Sequence, residues 1–582
     1  MSGGSLSTGD LARGLRAIIA EAIAAEPLGV RELDAILRRH PKDGRGFYTK
    51  REVLAGFRAS AAEWPLAEAA FAAKLRTTPT RTLSGVAPVA VLTKPFPCPG
   101  RCVFCPSDVR MPKSYLASEP GCQRAQANRF DPYLQAWNRL AALRAMGHST
   151  AKVELIVLGG TWSAYPESYQ VWFATRLFEA LNDFGAGIDR RAEVGALAPD
   201  FAALSLSPRG YDATVAARLR AAESGELVPP RERGAWSALE AAQRANEAAN
   251  ARCVGLALET RPDCVTREEL VRLRRLGATK LQLGVQSLDD AVLAANRRGH
   301  DVAATRAAIA LLRGAGFKLH VHWMANLLGA TPESDRADFA RLFDDPAIRP
   351  DELKLYPCSL VETAELAQHH ARGAWRPYTR DELLPLVADC LAAIPRWCRA
   401  TRVIRDIPSH EIVAGSKETN LRESAEALLR ERGVALAEIR AREIRAAASD
   451  ADAPLLRETR YATSLGEEVF LEAVNGSDRI AGFARLSLPT PGAASAAPIQ
   501  ELRGAALLRE VHVYGGVAEI GERSPDKAQH GGMGSRLVGQ AATLAAAAGF
   551  ATLQVISAVG TRAWYRRLGF EDGDLYQHLP LH

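Results

Sequence analysis

Most cysteines of this chain are scattered rather than paired. It has nine cysteines, an odd number, and six of them (Cys122, Cys253, Cys264, Cys358, Cys390 and Cys398) form no CxxC pair. A disulfide framework is thereby excluded, a reducing compartment is expected, and these six read as mostly buried small hydrophobes. Long apolar runs are missing as well. No stretch approaches membrane-spanning length, and the opening M-S-G-G-S-L-S-T-G-D lacks a basic segment followed by an apolar one. A cytoplasmic protein with no membrane partner is expected. Charge of one sign is scarce: a net +6 over 582 residues means that any nucleic-acid surface is local. The 47% hydrophobic and 24% charged content is ordinary for a folded globular protein, and the length asks for two or three cores.

The remaining three cysteines are concentrated in one loop, K-P-F-P-C-P-G-R-C-V-F-C-P-S-D, from Lys94 to Asp108. Cys98, Cys102 and Cys105 stand at spacing C-x3-C-x2-C, and thiolates on a short loop suit a soft metal centre. Four would close the shell of a structural zinc or an electron-transfer cluster. Three leave one position open, which suits a cubane that binds something at its fourth iron; a [4Fe–4S] cluster that binds S-adenosylmethionine is the reading expected for this spacing. Pro95, Pro97, Pro99 and Pro106 keep helix out of the loop. The alternatives are a zinc site completed by a distant histidine and unligated thiols.

Between residues 89 and 360 strands alternate with helices. Strand-like runs fall at 89–92, 153–158, 204–206, 255–259, 280–285, 318–323 and 352–356, with helical segments such as 266–276 and 302–315 ending at glycine. Such repetition gives a parallel sheet, here a partial or full (β/α) barrel. Polar residues gather at strand C-termini, where barrel sites are built: Gly159-Gly160-Thr161, Glu259-Thr260-Arg261 and Gln286-Ser287. The glycine pair lets a ligand's amino-acid end approach the backbone, Glu259 can accept ribose hydroxyls, and Arg261 can pair with a carboxylate. His320 and His322 face one side of a strand, as barrel-interior histidines or as a metal pair.

Residues 1–75 predict a small helical module. Between Arg31 and Arg58 eight Lys/Arg stand against four acids, with Phe47 and Tyr48 among them. That pattern suits phosphates and unstacked bases, through Arg38, Arg39, Lys50 and Arg51, or equally a solvated helical face. Residues 76–400 form the barrel domain, and 401–455, polar and exposed-looking, reads as a linker. A third domain, 456–582, opens with a hairpin around Asn475-Gly476 and a loop over 489–498. The strand 507–514 follows, then a Q-x-x-G-x-G turn (Gln529, Gly532, Gly534) at the start of a helix, where backbone N–H groups can cradle a pyrophosphate.

The cysteine loop resembles that of the radical S-adenosylmethionine superfamily. The order strand, glycine turn, helix, strand, then W-Y-R-R-L-G-F resembles that of the GNAT acetyltransferases. Together, P-C-P-G-R-C-V-F-C-P, K-V-E-L-I-V-L-G-G-T-W, L-E-T-R-P-D, N-R-R-G-H, E-L-K-L-Y-P, R-E-V-H-V-Y-G and Q-H-G-G-M-G resemble the Elongator catalytic-subunit family, over residues 80–582. The resemblance implies an α/β chain: a radical S-adenosylmethionine barrel joined to a GNAT-type α+β domain, modifying the wobble uridine of tRNA. Hydrogen abstraction from acetyl-CoA, addition to uridine C5 and thioester hydrolysis would leave a 5-carboxymethyl group. It implies an electron donor, acetyl-CoA contacts from Lys152, Glu510, Val511, His512, Val513, Met533, Gly534, Ser535 and Tyr565, and tRNA binding by the basic helical module. The alternative is a protein lysine acetyltransferase with a structural cluster. Three departures stand out. Trp564-Tyr565 replaces a tyrosine pair, leaving Tyr565 to carry its oxygen chemistry. I-R-A-R-E (Ile439 to Glu443) replaces R-C-R-E, so no second metal is expected. Met324-Ala325-Asn326 replaces M-P-D.

Overall fold

Period-two alternation of apolar residues builds the central layer. The computed structural model describes residues 8–26, 28, 30–42, 46–75, 85–197, 210–222, 225–444, 454–514 and 532–581. Its strands are β1 (Val86–Leu92), β2 (Lys152–Leu158), β3 (Arg252–Thr260), β4 (Lys280–Gln286), β5 (Lys318–Ala325), β6 (Glu352–Pro357), β7 (Leu360–Val361), β8 (Arg399–Arg402) and β9 (Ile412–Ala414). Seven of them form one sheet of order β1-β2-β3-β4-β5-β6-β8, every pairing parallel. β1 and β8 are its edges and do not pair with each other, so the barrel is the partial form. The expected strand at 204–206 lies outside the described residues. β8, R-A-T-R, was not foreseen, because two arginines in four residues hide any strand pattern.

The two faces of this sheet differ. Val153, Leu155 and Val157 of β2 face the outer helices in the main core. Glu154, Ile156 and Leu158 face a cavity inside the half-barrel, as do Gln282 and Gln286, His320 and His322, and Glu352 and Lys354 from the following strands. Parallel strands usually bury both faces in apolar contacts. Here the inner face is charged, and pairing offsets the cost of burial. Lys280 lies 2.5 Å from Glu154 and 3.2 Å from Glu352, which also pairs with Lys318 at 2.8 Å.

The stretch 401–455, read as a linker from its polarity, carries the helix Leu421–Glu431. Leu421, Ala425 and Leu429 sit in the half-barrel core. Their spacing of four puts them on one helical face, and the arginines and glutamates between them disguised it. Where R-C-R-E was absent, Arg442 is buried and its guanidinium reaches Glu472 at 2.8 Å, with Arg396 and Arg457 on neighbouring Asp478.

The C-terminal strands are β10 (Leu455–Ala462), β11 (Gly466–Val474), β12 (Ile480–Pro489), β13 (Ala506–Val513), β14 (Thr552–Val555), β15 (Glu571–Asp572) and β16 (Gln577–Pro580), in the order β10-β11-β12-β13-β14-β16-β15. β11 and β12 form the expected hairpin, but its connection spans 475–479. The side chain of Asn475 accepts from the N–H groups of Ser477 and Arg479, and Asp478 takes the positive φ of 59°. The loop read at 489–498 contains a short helix, Pro491–Ser495, capped by Thr490.

Helices Thr8–Ala24, Val30–Arg39, Lys50–Ala59 and Glu68–Leu75 make the N-terminal module. Its core includes Ile18, Ile36, Leu54, Phe57 and Phe71, the last two stacked at 4.2 Å. A capping box between Thr49 and Glu52 starts the third helix. Among the described residues no helix is long and apolar enough to cross a membrane.

Candidate functional site

The cysteine loop lies over the C-terminal end of the half-barrel, pinned from both sides. The Cys98 N–H donates to Asp212 (2.9 Å), the Val103 N–H to the Asn296 carbonyl (3.3 Å), and the Val103 carbonyl accepts from the Leu366 N–H (2.8 Å). Cys98, Cys102 and Cys105 all border one cavity of about 1360 Å³. Gly160, Thr161, Glu259, Arg261 and Gln286 border the same cavity, so the polar strand ends converge as expected.

Electrostatics single out Cys102. A hydrogen bond from Cys105 holds its thiol well below the usual range, and the charges of Arg298 and Arg261 add to this against the effect of burial. Cys105, the donor of that pair, is pushed well up. Burial raises Cys98. Among the described residues no group of three or more His, Cys, Asp or Glu side chains is placed to hold one metal ion. A four-iron cluster asks for something else, one thiolate per iron around a larger body. The donor set fits it: three thiols on one cavity wall, one already favouring the thiolate, with cationic arginines behind them.

Around the thiols the expected residues divide. Gly159 (φ +127°) lies behind the wall, where a Cβ would come within 2.0 Å of Thr93 Oγ1, while Gly160 (φ +83°) opens onto the cavity. Thr161 Oγ1 stands 3.8 Å from Cys98 Sγ. Gln286 holds a strained φ of +73°, and its buried Oε1 has no protein partner. Burial raises the Glu259 carboxyl, with Lys354 and Arg405 opposing. Arg261 differs from expectation: Asp263 already binds its Nε and Nη2, both at 2.9 Å, and its Nη1 points at Cys102, 3.9 Å away. A carboxylate two residues along the chain reaches it first.

His320 and His322 line the cavity as half-satisfied interior histidines. His320 Nε2 pairs with Thr401 Oγ1 (2.9 Å) and His322 Nε2 with Gln282 (3.2 Å), while His320 Nδ1 has no hydrogen-bond partner. Burial holds both well below the usual histidine range, hence neutral. Three participants were missed in the sequence. Lys354, pushed down to about 8 by burial, hydrogen-bonds Gln282. Arg405 pairs with Glu119 (2.8 Å), and Arg298 reaches Cys102. The stretches E-L-K-L-Y-P and N-R-R-G-H carried the only signal for Lys354 and Arg298.

In the C-terminal domain β13 and β14 run parallel but pair only over Ala506 to Leu508. There β14 ends, at Val555, while β13 runs on to Val513, so one backbone edge of β13 from Arg509 onward is unpaired with β14. The fifteen-residue helix Met533–Ala547 starts beside this edge, with Gly532 in the left-handed region at its cap. At Gly534 the backbone lies close under Trp564: a Cβ there would come within 3.2 Å of the indole, a tight contact, and 3.9 Å from Val513, an ordinary one. Val511, Val513, Met533, Trp564 and Tyr565 belong to one apolar cluster. Glu510 and His512 alternate with the valines and face the half-barrel. Burial raises the Glu510 carboxyl, but Lys318 and Arg485 more than offset it. His512, pushed down to about 4 by burial, keeps an unpartnered Nε2. Tyr565 is buried and pushed up by burial and by Glu510, so its phenol stays protonated. Lys152 begins β2 at the seam, beside Arg252, which packs against Gly560. Ser535 is exposed, and Gln529 lies outside the described residues.

In the N-terminal module Arg38 and Arg51 are exposed and Lys50 is half-buried. Arg39 is held by Glu21. Phe47 is 57% exposed whereas Tyr48 is in the core, so only one of the aromatic pair is free to stack.

Residues 232–343 match the radical SAM superfamily and residues 350–431 the radical SAM C-terminal domain. The chain is 37% identical over 508 residues to a tRNA uridine(34) acetyltransferase from Dehalococcoides mccartyi, covering 86% of this chain and 99% of that one. It is 35% identical to Elongator complex protein 3 of Danio rerio, over 86% and 84% of the two chains. The solved structure of an N-terminally truncated Methanocaldococcus infernus Elp3 superposes with a TM-score of 0.66 at 30% identity, covering 86% of this chain and 100% of the other. With these relatives matched over most of both chains, and with three cysteines on a half-barrel, this protein belongs to the Elongator complex protein 3 family of radical SAM proteins.

Proposed function

We propose that the chain carboxymethylates the wobble uridine of tRNA at C5, using acetyl-CoA and a radical S-adenosylmethionine mechanism. One observation carries this: the thiols and polar strand ends border a single cavity whose half-barrel is joined by buried ion pairs to the C-terminal sheet. Relatives named for acetyl transfer to tRNA uridine 34 support the substrate.

Cys98, Cys102 and Cys105 would hold a [4Fe–4S] cluster, which together with S-adenosylmethionine supplies a radical able to abstract hydrogen. The chain's own residues do the rest. Gly160 lets the amino-acid end of S-adenosylmethionine approach the backbone, Glu259 accepts its ribose hydroxyls, and Gln286 Oε1 offers an unused acceptor. Acetyl-CoA lies with its pyrophosphate at the start of helix Met533–Ala547, where N–H groups and the helix dipole favour an anion. Its pantetheine amides pair with the open edge of β13 beyond Leu508. Tyr565, neutral because it is buried, donates a hydrogen bond to the thioester carbonyl. Arg38, Lys50 and Arg51, with Arg402, Lys417 and Arg440 at the cavity mouth, meet tRNA phosphates.

The test is direct. Anaerobically reconstituted protein is incubated with tRNA, acetyl-CoA, S-adenosylmethionine and dithionite, and nucleosides are analysed by mass spectrometry. Carboxymethyluridine is expected, and Cys102→Ala should abolish both it and iron uptake while the C-terminal domain stays folded. Stoichiometric zinc without iron, or acetylated lysine as the only product, would overturn the proposal.

A further inference from the structure

The segment N-R-R-G-H (Asn296 to His300) follows the helix Asp290–Ala295 and lies against the cysteine loop. Asn296 is fully buried. Its side-chain amide donates to the carbonyls of Val292 (2.7 Å) and Leu328 (2.9 Å), and its own carbonyl takes the N–H of Val103, next to Cys102. Arg297 (φ +51°) and Gly299 (φ +73°) turn the chain sharply on either side of Arg298. That double turn aims Arg298 inward, where it is 5% exposed.

The partners of Arg298 are unusual for a buried arginine. Nη1 donates to Cys102 Sγ at 2.9 Å, and Nη2 donates to the Gly284 carbonyl at 2.6 Å and faces His300 Nε2 at 3.3 Å. These are a sulfur, a carbonyl and an imidazole, so among the described residues no carboxylate neutralises the charge. Nε is buried without a hydrogen-bond partner. Arg261 supports the same arrangement, donating from Nη2 to the Arg298 carbonyl.

We propose that Arg298 is a positioning residue for the iron–sulfur cluster, holding the Cys102 sulfur by an N–H···S bond and raising the cluster's reduction potential. This rests on the cluster assignment made above. Reduction adds one electron to the cluster and puts more negative charge on its sulfurs. A buried cation and a donated N–H therefore stabilise the reduced state more than the oxidised one. The cost of burying a guanidinium that no carboxylate neutralises is offset further when the anionic cluster is present.

Wild type, Arg298→Gln and Arg298→Lys are reconstituted as full chains, and iron content and the midpoint potential followed by EPR are measured. About four irons per chain are expected in each. At the potential where half the wild-type cluster is reduced, Arg298→Gln should show at least a tenfold lower ratio of reduced to oxidised cluster, a shift of about 59 mV for one electron. Arg298→Lys, which keeps the charge but not the fork, should fall between. A second measurement needs no variant: isotopic labelling of arginine nitrogen should alter the nitrogen couplings of the reduced wild-type cluster in pulsed EPR. Intact clusters of equal potential in all three proteins, or couplings indifferent to the label, would overturn the role of Arg298 and leave the cluster standing. A wild type that takes up no iron would instead overturn the cluster assignment itself.

Discussion

Tyr565 shows how much a single environment decides. Its ring packs against Trp564 and Phe570 at 4.7 and 5.3 Å, and burial keeps the phenol neutral. Tyr565→Phe keeps the packing and removes the donor. We predict that tRNA-dependent hydrolysis of acetyl-CoA falls at least tenfold, about 1.4 kcal/mol of barrier, while Trp564→Phe does much less. Normal hydrolysis by Tyr565→Phe would place the oxygen chemistry elsewhere. Asn326 is a structural pin. Its Nδ2 donates to the Arg376 carbonyl (3.1 Å) and its Oδ1 accepts from the Tyr378 N–H (2.9 Å), and a carboxylate could do only the second. Beneath it Asp335 accepts from the Asn326 N–H and the Tyr378 hydroxyl, yet burial pushes its carboxyl up to about 6. A carboxyl raised on folding contributes stability below its unfolded value near 3.8 and loses it as pH rises through 6. Asp335→Asn should therefore flatten stability across that window, by up to ~3 kcal/mol, measured by urea unfolding at about pH 4 and pH 7. Parallel curves for wild type and variant at both pH values would refute this.

At the scale of elements, two sheets each leave one edge or face for a ligand. The half-barrel keeps its inner face polar and stops at seven strands, and β13 runs on past its three residue pairs with β14. The third element is the basic helix pair of the N-terminal module. Arg38 and Arg51 are exposed, whereas Arg39 is engaged by Glu21, so its share of any phosphate binding is smaller. Replacing Arg38, Arg39, Lys50 and Arg51 by alanine should weaken tRNA binding. The slope of log affinity against log salt should flatten by roughly 0.9 for each phosphate that the variant no longer neutralises. Unchanged affinity at low and high salt would make this surface merely a solvated face. The helices themselves were legible through their periodicity. Which arginines are occupied was not, because Glu21 and Arg39 lie on different helices.

At the scale of the molecule, a buried ion network joins the half-barrel to the C-terminal sheet. Asp351, just before β6, receives Arg509 and Arg485 from the C-terminal sheet, and Arg509 also reaches Glu468 at 2.7 Å. Lys318 meets Glu510 across the same seam, and Arg274 donates to the carbonyls of Ser557 (2.6 Å) and Leu575 (2.9 Å). Trp397 stacks on Tyr461 at 4.3 Å. Asp351 and Arg509 are both almost wholly buried, so removing Asp351 breaks a buried pair and leaves Arg509 with Glu468 as its remaining carboxylate. Asp351→Ala should cost about 3–5 kcal/mol and let the two halves unfold separately. A single calorimetric transition at an unchanged midpoint would show the network to be dispensable.

Local pattern was enough for much of this protein. The cysteine loop, the strands from β1 to β6, the hairpin of β11 and β12, and the helix that opens at Met533 are each written within a few neighbouring residues. Periodicity and turn chemistry act at that range. The tertiary structure alone decided that the barrel stays open, that residues 421–431 belong to its core, and that β13 divides its contacts between two faces. It also decided that Arg298 meets Cys102, 196 residues earlier in the chain. Such meetings depend on how helices and strands pack, and no short stretch of sequence contains both partners.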